Sequence, residues 1–238
     1  MKHSYFVTGT DTEIGKTLVS AALIYKLNQL QQNSASGYKP VVAGTYINSD
    51  GGACNEDIET YLIAQGNQIS REEICPYIID LPAAPHLVAS EKGITLDLHR
   101  MFVCYEALQK KVPYVIAEGA GGFLTPIDHQ FDLSDFAVQI NVPIILTVGL
   151  RLGCINHALL TVEAIEKRGL HIAGWVASCI TKKMPYQAEN IQTLRDRIKA
   201  PLLGIIPHLD QQLHKKNNSP YTIEAIRFAA AAIKLPNT

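Results

Sequence analysis

Four apolar runs, "YVIAEGAGG", "VPIILTVGL", "HIAGWVASCI" and "APLLGIIPHL", constrain this 238-residue chain more than any other feature. None alternates polar and apolar residues, as a strand with one wet face would. Strands buried on both faces belong to a parallel sheet covered by helices. "SYFVTG" and "SGYKPVVAG" read as two further strands. Helical patterns lie between them: "KTLVSAALIYKLNQL", with Val19, Leu23, Leu27 and Leu30 along one face; "CINHALLTVEAIEKRG", ending at Gly169 where a C-cap glycine belongs; the polar "QAENIQTLRDRIK"; and the final "TIEAIRFAAAAIKL". The predicted fold class is α/β: a single doubly wound, mostly parallel sheet with helices on both faces, residues 1–238 forming one domain. The stretch from Asn48 to Gly93 has the weakest pattern and is expected as loops and short helices at one edge. "LDQQLHKKNNSP" reads as a surface loop.

Composition narrows the function. Hydrophobic residues at 47% and charged residues at 18% suit a substantial core and not a disordered chain. A net charge of −1 gives no pull toward nucleic acid or an anionic membrane. No stretch approaches the roughly 20 apolar residues of a bilayer helix, and "MKHSYFVTG" lacks a signal-type apolar region. Cys54, Cys75, Cys104, Cys154 and Cys179 stand singly, which argues for reduced thiols. The expectation is a soluble cytoplasmic protein with neither nucleic acid nor membrane as partner.

"GTDTEIGKT", Gly9 to Thr17, joins the first strand to the first helix. A helix N-terminus presents unpaired N–H groups where the dipole favours anions. Gly15 lets backbone approach an oxygen, Lys16 can reach terminal phosphates, and the Thr17 hydroxyl can ligate Mg²⁺. The loop residues Glu13 to Leu18, including Ile14, form a predicted nucleotide-binding set of P-loop NTPase type. Thr10 stands where the usual pattern has its first glycine. Glu13 is readable as a helix-start acid or as a ligand contact. Glu118 ends "YVIAE" at the strand edge where such sheets bind ligands, and Gly119, Ala120 and Gly121 after it permit close approach. A second acid is expected from "NSDGGACNEDIETY", where spacing leaves Asp50, Glu56, Asp57 and Glu59 open. Lys39 in "GYKPVVAG" would share the edge of Lys16 if its strand lies beside the first, placing two cations on one γ-phosphate.

"YFVTGTDTEIGKT", "GYKPV", Asn55-x-Asp57, "EGAGG", "GLRLGCINHALLT", "AGWVAS" and "APLLGIIP" run in order over nearly the whole chain. Together they resemble the dethiobiotin synthetase family. The resemblance implies an ATP-dependent ligase of biotin synthesis that acts on 7,8-diaminononanoate, CO₂ and MgATP as a homodimer with sites at the subunit interface. It implies Lys16 and Lys39 as charge stabilisers, Thr12 beside a carbamate, and Thr17, Asp57 and Glu118 around Mg²⁺. It implies Gly153, Cys154 and Asn156, opening a helix, as receivers of the substrate carboxylate across the dimer, with Ala43 where the family commonly has a serine. Ser178 stands where well-known members have an asparagine that reads adenine. Cys179 follows it, and Pro207, His208 and Leu209 form the other base-proximal stretch. A serine reaches less far than an asparagine and reorients, so use of other nucleoside triphosphates beside ATP is expected.

Two rival classes share parts of this pattern. An amidating synthetase would need an ammonia source such as a glutaminase domain, and none is expected after the final helix. A partition-type ATPase carries a signature lysine early in its loop, where this chain has Thr10, Asp11 and Thr12.

Overall fold

The computed structural model describes residues 4–48, 51–66, 69–213, 215 and 219–236. Six strands build the main sheet: β1 (Tyr5–Gly9), β2 (Ala35–Tyr38), β3 (Tyr114–Glu118), β4 (Ile144–Gly149), β5 (Ile172–Ser178) and β6 (Leu202–Ile206). Their order is β6-β5-β4-β1-β3-β2, with every neighbouring pair parallel. The chain fills one side of β1 with β2 and β3, then crosses to the other with β4. Val7 pairs with Glu118 and Gly9 with Thr147, so the C-terminal ends of β1, β3 and β4 flank one crevice. Open α/β sheets bind ligands at such a switch.

The helices are α1 (Lys16–Leu30), α2 (Glu56–Gln65), α3 (Arg71–Ile74), α4 (Pro85–Glu91), α5 (Leu98–Gln109), α6 (Leu133–Ile140), α7 (Cys154–Lys167), α8 (Gln187–Arg197) and α9 (Ile223–Ala232). They explain why the strands do not alternate. Tyr5 and Val7 of β1 enter a core with Leu23 of α1, Ile58 of α2 and Ile226 of α9. Phe6, between them, enters the opposite core with Met101 of α5, Phe136 of α6 and Ile165 of α7. Ile145 and its neighbours Ile144 and Leu146 divide in the same way. Each such burial is worth roughly 1.5–3 kcal/mol, so neither face tolerates a polar residue cheaply.

Several expectations need correction. Val19, Leu23 and Leu27 are buried, but Leu30 is 76% exposed, because the last turn of α1 runs out to the surface bend that follows it. "SGYKPVVAG" is not one strand. β2 stops at Tyr38, Pro40 has no N–H to continue a ladder, and the Lys39 N–H donates to Ile74 O at 2.9 Å. Val42–Ala43 pairs instead with Ile78–Ile79. β2 also does not lie beside β1, since β3 stands between them.

α5 and α6 had no sequence reading. α6 opens on a capping box in which Asp132 accepts from Ser134 N–H and Asp135 accepts from Asp132 N–H. The weakly patterned stretch contributes core as well as loop: Ile58, Tyr61 and Ile74 are at most 1% exposed. Asp50, and His214, Lys216, Asn217 and Asn218 of the predicted surface loop, lie outside the described residues. α7 ends as expected, with the Gly169 N–H on Glu166 O and the Leu170 N–H on Ile165 O. Among the described residues no helix is long and apolar enough to cross a membrane.

Candidate active site

β1 passes through the turn at 10–15 into α1. Gly15 caps that helix at φ 89°, a left-handed conformation that favours glycine. Having no side chain, it leaves the first-turn N–H groups of α1 available to an anion. Lys16 folds back over the loop, its Nζ donating to Asp11 O at 2.6 Å, and is 6% exposed. Burial, and next the charge of Lys39, lower its pKa to about 8.

One turn inside the helix, Thr17 Oγ1 lies 2.7 Å from Asp57 Oδ1 and 3.0 Å from Glu118 Oε1. Glu118 is fully buried at the end of β3. Ser20 Oγ donates to its Oε2 at 2.6 Å, and the Tyr61 hydroxyl donates to the same oxygen. Lys39 Nζ donates to Glu118 Oε1 and lies 2.8 Å from Asp57 Oδ2. Burial works hardest against the Lys39 charge, but Asp57 and Glu118 outweigh it and hold the pKa above the ordinary lysine value. Burial likewise opposes the Asp57 carboxylate, yet the charge and hydrogen bond of Lys39 keep its pKa below the ordinary range.

Of the candidate acids among the described residues, α2 brings Asp57 to Thr17. Asn55 caps it, accepting from Asp57 N–H at 2.9 Å and Ile58 N–H at 3.3 Å, while its Nδ2 donates to Gly44 O at 2.7 Å. That anchor turns Asp57 toward Thr17. Glu56 pairs instead with Lys215 and Glu59 with Arg71. Lys39 therefore reaches the crevice by a different route from the one expected: from the edge strand, past β3, through its contacts with Glu118 and Asp57.

The remaining predicted residues surround this cluster. Thr12 is exposed on the loop, its N–H on Asp11 Oδ1 at 2.8 Å, with its hydroxyl beside Gly121. Glu13 is exposed at φ 56°, whereas Ile14 and Leu18 are buried. The Gly119 N–H donates to Val7 O at 3.0 Å, and Ala120 and Gly121 line the half-buried turn after it. Ser178 ends β5 directly against Gly15: a Cβ there would lie 2.9 Å from Ser178 Oγ. His208 Nδ1 faces Cys179 O at 3.2 Å, between exposed Pro207 and buried Leu209. Gly153 caps α7, with Asn156 exposed and Cys154 buried, and Ala43 is half-buried beside Ile79. Arg151, just before that cap, is paired with Asp11 of the loop.

Sequence reading missed Ser20, Tyr61, Asp11 and Arg151. Their only local signal is spacing: Ser20 three residues after Thr17, and Tyr61 four after Asp57.

A hydroxyl and two carboxylates converging from α1, α2 and β3 offer the hard oxygens that suit Mg²⁺. The Lys39 ammonium between the carboxylates shows that the position favours a cation, so the residues fit the ion. Among the described residues no three His, Cys, Asp or Glu side chains gather to hold a metal.

A parallel sheet with this loop at its switch point, and an acid ending the adjacent strand, defines a phosphate-loop nucleotide-dependent protein. A family model described as an AAA domain matches residues 3–216. A chain of the MinC:MinD cell division protein complex of Aquifex aeolicus is 13% identical with a TM-score of 0.57, over 99% of both chains. A ParA family ATPase from Chlorobium tepidum is 12% identical with a TM-score of 0.55, over 97% of this chain and 90% of that one. Those likenesses show the fold. Sequence goes further. The ATP-dependent dethiobiotin synthetase of Aromatoleum aromaticum is 44% identical over 206 residues, 87% of this chain and 91% of that one. The synthetase of Ralstonia nicotianae is 44% identical over 204 residues, 86% of this chain and 88% of that one. The chain belongs to the ATP-dependent dethiobiotin synthetases, enzymes of the ligase type.

Proposed function

We propose that the protein closes the ureido ring of dethiobiotin from 7,8-diaminononanoate, CO₂ and ATP, a step of biotin synthesis. The meeting of Lys16, Thr17, Lys39, Asp57 and Glu118 in one crevice carries this reading. One substrate amine adds to CO₂ and loses a proton, giving a carbamate. A carbamate oxygen attacks the γ-phosphorus and ADP leaves, forming a carbamic–phosphoric anhydride. The neighbouring amine then attacks the carbonyl carbon, the bond to the phosphate oxygen breaks, and phosphate departs.

Each residue has a part in that sequence. Lys16 leaves Asp11 O for the terminal phosphates, which restores its full charge. Lys39 faces the transferring phosphoryl group and the carbamate, where burial makes its charge worth more than in water. The loop N–H groups hold phosphate oxygens, and Gly119, Ala120 and Gly121 let backbone approach the nucleotide, with Thr12 beside the carbamate. Thr17, Asp57 and Glu118 would hold Mg²⁺, which neutralises phosphate charge when bound. The opening of α7, with Gly153, Cys154 and Asn156, receives the distant carboxylate. Ala43 removes one polar contact, worth about 1 kcal/mol.

The protein acts in the cytoplasm as a homodimer. Leu152, 96% exposed beside Gly153, is a side chain a second subunit would cover. Sedimentation at a single mass of one chain would overturn the dimer.

A second reading concerns the base. Ser178 is 7% exposed and tucked against Gly15, so it does not reach outward as an asparagine would. We take base choice to be relaxed. The test mixes the protein with the diamine, bicarbonate and Mg²⁺, with ATP, GTP or CTP in parallel. Dethiobiotin is read by mass and phosphate by release. Product with all three within about tenfold is expected; an ATP preference above about a hundredfold, nearly 3 kcal/mol, would remove the second reading. Phosphate release indifferent to the diamine would remove the first.

A further inference from the structure

Glu118 has a tightly committed half. Its Oε2 accepts from both Ser20 Oγ and the Tyr61 hydroxyl, while Oε1 accepts from Thr17 and Lys39, the two groups that the proposed reaction turns toward metal and phosphate. We infer that Tyr61 is a positioning residue that makes Glu118 a one-oxygen ligand and thereby sets the preference of the site for Mg²⁺ over Ca²⁺. This rests on the reading of Glu118 as a metal ligand.

A carboxylate oxygen has two lone pairs, and two donors fill them. To offer both oxygens to one cation, Glu118 would have to break bonds to Ser20 and Tyr61. All three residues are 0% exposed, so no water stands by to replace what is lost. Mg²⁺ takes single oxygens in a tight octahedron, whereas Ca²⁺ is larger and gains from two-oxygen carboxylate ligation. A carboxylate restricted to one oxygen therefore disfavours the larger ion. Partners of this kind, acting through a ligand, commonly tune metal sites.

Tyr61 is itself held in place. Its ring lies on Gly37 of β2, where an added Cβ would fall 2.4 Å from Tyr61 Cδ2. α2 is clamped to that strand by Gln65 Oε1, which accepts from Ser36 Oγ at 2.9 Å and Gly37 N–H at 3.2 Å. Asp57 and Tyr61 lie one turn apart on this helix, so the helix that supplies one oxygen ligand also orients the other. A tyrosine serving only the core would need some acceptor for its hydroxyl, and its loss would change stability without changing metal preference.

Tyr61→Phe keeps the ring and removes the donor. The affinity of β,γ-imido ATP is measured by calorimetry with Mg²⁺ or Ca²⁺ as the sole divalent ion, for wild type, Tyr61→Phe, Ser20→Ala and Glu118→Gln, with thermal melts for folding. The expected result is a Mg²⁺ to Ca²⁺ affinity ratio about tenfold smaller in Tyr61→Phe, chiefly through tighter binding with Ca²⁺. If Tyr61→Phe fails to fold, Ser20→Ala removes the other donor to the same oxygen and must show the same direction. An unchanged ratio in the folded variants, with metal dependence lost in Glu118→Gln, overturns the inference and leaves Glu118 a ligand. Metal dependence unchanged in Glu118→Gln overturns both readings.

Discussion

The two ends of the crevice are built from different forces. Around the start of α1, Thr17, Ser20, Lys39, Asp57, Tyr61 and Glu118 hold one another by charge and hydrogen bonds in a nearly dry space. At the end of β5, Ser178 is wedged against Gly15 and His208 is set by a backbone carbonyl. The contrast teaches that a network of charges makes every member indispensable, whereas a packed wall allows substitution with graded effect.

The largest break in that contrast is Lys39→Met. Turnover should fall by at least about a thousandfold with nucleotide affinity nearly unchanged, since this charge acts mainly on the transition state. The variant also leaves Asp57 and Glu118 facing each other without a cation, so denaturant melts should show a loss of about 3–5 kcal/mol. Added Mg²⁺ should restore part of it. An equal fall in ATP affinity and kcat/KM would assign Lys39 to simple binding. Glu118→Gln should cost about a hundredfold in activity and flatten the Mg²⁺ titration, and full activity at limiting Mg²⁺ would dismiss it.

The pH dependence of nucleotide binding is a sharper instrument. Empty, Lys16 has a pKa near 8, below the 10.5 of a free lysine. Bound phosphate favours the ammonium and raises that value. Above pH about 8 the site must take up a proton to bind, so Kd should rise toward about tenfold per pH unit. Below that pH it should be flat. A Kd constant from about pH 7 to 9.5 would show that Lys16 stays charged in the empty site.

At the end of β5 the expected effects are smaller. Ser178→Asn should increase the preference for ATP over GTP by about ten- to a hundredfold, the 1–3 kcal/mol of a good base contact, with phosphate release otherwise unaffected. Arg151→Ala should change stability by less than about 1 kcal/mol, because its pair with Asp11 is exposed on both sides. A loss of several kcal/mol would mean that the loop depends on that bridge.

What the sequence makes legible follows the range of the forces. The sheet strands and α1 are written in local patterns, and so are Lys16, Thr17 and Glu118, each fixed by its place at a strand end or helix start. Strand order is not local, so the intrusion of β3 between β1 and β2 could not be read from "GYKPVVAG". Asp57 is turned inward by α2 and its Asn55 cap, a placement that spacing along the chain does not give. Tyr61 looks like any core aromatic, because its acceptor lies 57 residues away. α6 did carry a local signal, the Asp132 and Asp135 box, in a helix too short for its period to stand out.

Ile14 joins these scales. It is 1% exposed, and its side chain fills space that a Cβ at Gly9 or Gly149 would contest, at 2.6 and 2.5 Å. The loop proposed to meet the most water-loving part of the nucleotide is thus nailed to the apolar interior beneath it. Such a loop has no melting point of its own: on warming, it should keep its grip on phosphate until the central strands themselves let go.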